Sequence, residues 1–125
     1  MRGQCLTVST QAMDYYINHP NNAHYCAAKC RGMDGELDKI GIHFWVEIED
    51  PKETIIYDLT RPGADTDSPM FGMSNYYKAA GIIPPWNHGL IRLNKSEYRD
   101  YCTQINDMEI LSPEDGYMIM KKIKS

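Results

Sequence analysis

Residues 41–60 read Gly41-Ile42-His43-Phe44-Trp45-Val46-Glu47-Ile48-Glu49-Asp50-Pro51-Lys52-Glu53-Thr54-Ile55-Ile56-Tyr57-Asp58-Leu59-Thr60. Ile42, Phe44, Val46 and Ile48 alternate with His43, Trp45, Glu47 and Glu49, the two-residue period of a strand with one face buried. Thr54 to Tyr57 is β-branched and aromatic, which suits a second strand, and Asp50-Pro51 is a turn signal. Joined as a hairpin, through Asp50-Pro51 or through Glu49 to Lys52, the strands place Val46 opposite Ile55, Phe44 opposite Tyr57 and Ile42 opposite Leu59. That wholly apolar face is what sets the register. The same register puts His43 across from Asp58 on the other face. A carboxylate beside an imidazole holds one tautomer and stabilises the protonated ring, which is half of a nucleophile–base–orienter system. The plainer alternative is a surface His and Asp that happen to be opposite one another.

Working outward, the 125 residues suffice for one domain with one core, spanning 1–125. A hydrophobic share of 42% and a charged share of 24% are those of an ordinary globular chain. The formal charge of −4, with only Lys121-Lys122-Ile123-Lys124 as a basic run, argues against a nucleic-acid surface. No apolar stretch approaches the ~20 residues of a membrane span. Cys5, Cys26, Cys30 and Cys102 do not form a disulfide framework: on one strand Cys26 and Cys30 would lie roughly 13 Å apart. Free thiols, with no apolar signal-peptide core after Met1-Arg2-Gly3-Gln4, predict a reducing cytoplasm.

In chain order, residues 5–18 predict a helix, with Cys5, Val8, Ala12 and Tyr16 in one stripe widened by Leu6, Met13 and Ile17. Pro20 ends it. A thiolate at Cys5, in the first turn, would feel free backbone N–H groups and the positive end of the helix dipole; a small buried hydrophobe is the simpler role. His24 to Arg31 is strand-like. His24-x-Cys26 could offer two metal ligands, but no second pair at zinc-like spacing accompanies it, so neither metal nor cofactor is expected. Residues 61–73, with Pro62, Gly63, Pro69 and Gly72, predict a long loop; its Asp65 and Asp67 lack the other ligands of a calcium loop. A short helix is expected over 75–80. Asn87 and His88, beyond Pro84-Pro85, are reserve polar candidates, although a plain turn is simpler. Leu90 to Leu93 predicts a strand. A helix capped by Asn94 or Ser96 runs to about Ile105, with Tyr98, Tyr101, Cys102 and Ile105 inward. Glu109 to Leu111 and Tyr117 to Met120 predict a closing hairpin around Ser112-Pro113-Glu114-Asp115-Gly116.

In this order the pieces resemble the transglutaminase-like and papain-like cysteine hydrolase superfamily: a Cys at a helix start, then a His strand, then an Asp strand. His43-Phe44-Trp45-Val46-Glu47 is similar to that superfamily's His-Ala-Trp-Val-Glu signature, Tyr57-Asp58-Leu59-Thr60 to its Asp-Pro-Thr ending, and Gly3-Gln4-Cys5 to the head of its nucleophile helix. The likeness covers residues 3–60 and departs from the pattern at Leu6, where an aromatic is common, and at Leu59, where Pro often follows the Asp. It implies an α+β fold, the Cys-bearing helix packed on an antiparallel sheet. It implies Cys5 as nucleophile, His43 as general base and acid and Asp58 as orienter. Gln4 or the Cys5 N–H would aid the oxyanion. Apart from the resemblance, Trp45 shares the His43 face of the alternation and is large enough to shield the gap between helix and sheet from water, which makes it the substrate-binding candidate. Cys26, on a strand without a helix terminus to activate it, is the competing thiol.

Two classes of function follow. In the first, a Cys-His-Asp enzyme acts on an amide of a protein or peptide substrate, as peptidase, amidase or deamidase, through a thioester. In the second, the same fold serves as a non-catalytic protein-binding module.

Overall fold

The computed structural model describes residues 5–31, 40–49, 54–57, 70–72, 89–106 and 112–125. Alternation produces the expected strands β1 (Ala23–Arg31), β2 (Ile40–Glu49), β3 (Thr54–Tyr57) and β5 (Ile91–Leu93), and Met70–Gly72 adds β4 inside a stretch expected to be loop. They form one antiparallel sheet in the order β4-β3-β2-β1-β5. Three described helices, α1 (Cys5–Tyr16), α2 (Lys95–Ile105) and α3 (Pro113–Lys124), complete an α+β architecture. None of them is long and apolar enough to cross a membrane. The expected helix over 75–80 and strand over 109–111 lie outside the described residues.

β2 is the central strand. It pairs along its length with β1, from Ala23↔Ile48 to Arg31↔Ile40. On its other side it meets β3 as Val46↔Tyr57 and Ile48↔Ile55. This differs by two residues from the expected Val46–Ile55 pairing, because the ladder closes at Glu49↔Thr54 with 50–53 between. A shift of two keeps every side chain on its face, so alternation cannot distinguish the two registers.

The helices cover the face of Tyr25, Ala27, Phe44, Val46, Ile48, Ile91 and Leu93. α1 contributes Ala12 and Met13, α2 Tyr98 and Tyr101, and α3 Tyr117 and Met120. Tyr25 is central, with ring centroids 5.7 Å from Phe44, 5.0 Å from Tyr98 and 5.2 Å from Tyr101. Burying one such side chain is worth about 2–3 kcal/mol. Cys102 packs against this cluster from its margin and is half-buried rather than core.

Local chemistry sets the helix ends. α1 closes with Ile17 N donating to Met13 O (2.8 Å) and His19 N to Tyr16 O (3.0 Å), just before Pro20. Asn94 caps α2 reciprocally with Glu97: Glu97 N to Asn94 Oδ1 is 2.8 Å and Asn94 N to Glu97 Oε1 is 3.0 Å. Tyr117 to Met120, expected as a hairpin strand, is helical. Ser112 and Asp115 form a second capping box, Pro113 enters at the first turn, and Glu114 and Asp115 open a helix that Lys121, Lys122 and Lys124 close. The Ser-Pro-Glu-Asp run is thus a helix start rather than a turn.

Candidate functional site

The two-residue period of β2 sends His43, Trp45 and Glu47 to the face opposite the three helices. All three are buried, at 1%, 0% and 3% exposure. The His43 and Trp45 rings stack with centroids 5.9 Å apart and planes 25° from parallel. Trp45 Nε1 donates to Glu47 Oε1 at 3.4 Å. Glu47 Oε2 accepts from Arg92 Nε at 2.8 Å, and the Arg92 side chain keeps 37% of its surface exposed.

The neighbouring strands frame this row. In β1, Ala28 lies opposite His43 and Cys26 opposite Trp45; in β5, Arg92 lies opposite Cys26. Ile56, fully buried, faces Glu47 from β3. Arg92 reaches Glu47 across β1, a span of two strand spacings, roughly 9.5 Å. Only a long side chain covers that, and the small residue Cys26 leaves it room. The Cys26 thiol is pushed well up from its ordinary value, first by burial and then by the Glu47 carboxylate, with Arg92 opposing. Cys26 is fully buried and packs between Trp45 and Arg92 on this face.

Cys5 opens α1, whose packing side chains meet the sheet on the Phe44 face; the Cys5 side chain, Gln4 and Asp58 lie outside the described residues. His43 leaves β2 on the other face. The helix–sheet gap, where the sequence placed the approach of His43 to the nucleophile helix, is filled by the core of the Phe44 face. A Cβ placed on Gly116 of α3 would lie 3.2 Å from Phe44 Cζ and 3.5 Å from Leu6 Cδ1. The expected opposition of His43 and Asp58 rested on the Val46–Ile55 register, which the observed pairing replaces. Asn87 and His88 also lie outside the described residues. Among the described residues, no three His, Cys, Asp or Glu side chains converge as a cation cage, and His24-x-Cys26 gains no further ligand.

Arg92 carried no role in the sequence, and Glu47 only that of a motif residue. The available signal was Arg92 between two apolar strand residues, Ile91 and Leu93, and the position of Glu47 on the His43 face of the alternation. No protein-family model matches the chain, and no curated protein and no solved structure matches it either.

Proposed function

We propose that the chain is a cysteine-dependent acyl-transfer enzyme acting on amide bonds of a protein or peptide, on a papain- or transglutaminase-like core. The observation that carries this is His43, an imidazole buried at 1% exposure on the central strand and stacked on Trp45. Burying a polar ring costs free energy that an apolar residue at the same position would avoid, and such local departures from packing logic concentrate at functional sites. The second support is the placement of Cys5 as the first residue of α1, the helix that packs against β2, so that backbone N–H groups of the first turn adjoin the thiol-bearing position.

In this reading the Cys5 thiolate attacks the amide carbon. The tetrahedral oxyanion takes hydrogen bonds from the Cys5 N–H or Gln4, and its collapse breaks the C–N bond. His43 delivers a proton to the departing amine. The thioester then yields its acyl group to water or to a second amine, from which His43 takes the proton back. Asp58 orients His43.

The alternative, a non-catalytic protein-binding module, is favoured by one observation: α1 and His43 lie on opposite faces of β2. A labelled electrophile applied briefly near pH 6 separates the two. The enzyme requires label at Cys5 ahead of Cys26, Cys30 and Cys102, lost in Cys5→Ala and slowed in His43→Gln. Label appearing first on another cysteine, or at equal rates with and without His43, refutes it.

A further inference from the structure

We infer that Glu47, clamped by Arg92, is a positioning residue for His43, acting through the indole of Trp45. This rests on the acyl-transfer reading for its purpose, but its geometry stands independently. His43, Trp45 and Glu47 occupy alternate positions of one strand face, so His43 and Glu47 are separated by roughly 13 Å along β2, far beyond direct hydrogen-bond reach. Trp45 occupies the interval. One end of the indole is tied to Glu47 Oε1 through its N–H at 3.4 Å, and the ring is stacked on the imidazole at 5.9 Å. The carboxylate is fixed in turn, because its second oxygen accepts from Arg92 Nε at 2.8 Å. A bridged carboxylate with both oxygens occupied cannot rotate without losing one bond, so the indole plane is defined by a residue two strands away.

A packing role alone does not require this arrangement. Trp45 is fully buried and would be held by contact with its neighbours. Placing a carboxylate beside it adds a desolvation cost, which the Arg92 pair helps to offset. What the pair adds is orientation of the indole, and through stacking, of the ring that moves the proton. Among the described residues, the titratable and charged side chains on this face are Glu47 and Glu49 of β2, His24 and Cys26 of β1, and Arg92 of β5.

A protonated imidazole stacked on an indole quenches its fluorescence, so Trp45 emission reports on His43. In a Trp86→Phe background Trp45 is the sole tryptophan. The expected result is a pH-dependent emission step, abolished in His43→Gln. In Glu47→Gln, which keeps the acceptor for the indole N–H, the step keeps its amplitude. In Glu47→Leu it falls to less than about half, while reaction of Cys5 with the labelled electrophile slows about tenfold, as misplacing a catalytic group does. Arg92→Met and Arg92→Lys supply the same comparison at a half-exposed position should Glu47→Leu fail to fold: Met, which removes the guanidinium from Glu47 Oε2, is expected to reduce the step, and Lys to retain part of it. A folded Glu47→Leu or Arg92→Met protein with an unchanged emission step overturns the inference. Loss of the step on these substitutions, in a protein whose Cys5 is unreactive from the outset, upholds the positioning and refutes the enzyme reading instead.

Discussion

Gly116→Ala tests the layer that separates α1 from His43. Gly116 is a buried interior residue of α3, and among the described residues only Gly89 has a positive φ, so alanine meets no backbone strain there. In an open helix the change would stabilise by about 1 kcal/mol. Here the added Cβ would lie 2.9 Å from Tyr101 Oη and 3.2 Å from Phe44 Cζ. Neither ring can retreat. Both are fully buried, and Tyr101 is flanked by Tyr25 at 5.2 Å and Tyr98 at 6.0 Å between centroids. Overpacking of this kind costs about 2–3 kcal/mol, leaving a net loss of about 1–2 kcal/mol. At about 4 °C per kcal/mol for a domain of this size, the melting temperature should fall by about 4–8 °C. Circular-dichroism melts of Gly116→Ala, Tyr101→Phe and the double variant form a cycle. Removing the hydroxyl that the methyl meets should return a substantial part of the loss, so the double variant should be more stable than additivity predicts. A Gly116→Ala protein that melts at or above the wild-type temperature would mean that α3 does not press on Phe44 and Tyr101 as these distances require, and would refute the reasoning.

Two further outcomes are expected. Tyr98 Oη donates to Asp14 Oδ1 at 2.7 Å and lies 3.2 Å from Thr10 O; Tyr98→Phe removes the one hydroxyl proton that these acceptors share, and urea unfolding should show a loss of about 2 kcal/mol with an unchanged slope. Burial opposes ionisation of Glu97, but the Asn94 N–H and then Lys124 outweigh it and hold its carboxyl below its ordinary value of 4.5. A depressed folded value contributes stability that is present above 4.5 and lost as pH falls through that lower value. The stability gap between wild type and Glu97→Gln should therefore close in acid, and shrink in high salt because the Lys124 side chain is largely solvated; a gap that persists at low pH contradicts the assignment.

The strands of the sheet's centre were legible because each is governed by a short-range rule. Alternation alone marked β2 and placed His43, Trp45 and Glu47 on one face. The Asn94 cap marked the start of α2, and Pro20 the end of α1. Three things needed the tertiary structure. The β2–β3 register did, because a period of two makes registers two apart equivalent from within the strands, and the ladder's closing pair decides between them. The helical state of residues 113–124 did, because Ser-Pro-Glu-Asp-Gly serves a turn and a capping box equally well, and the choice falls to whether Tyr117 and Met120 find a core to enter. The third was which face the helices cover. Period-two patterning says that His43 and Phe44 point apart, but not that both faces are buried, nor that Arg92, 45 positions from Glu47 in the chain, crosses β1 to pair with it. Such a contact depends on strand order, which local sequence does not encode.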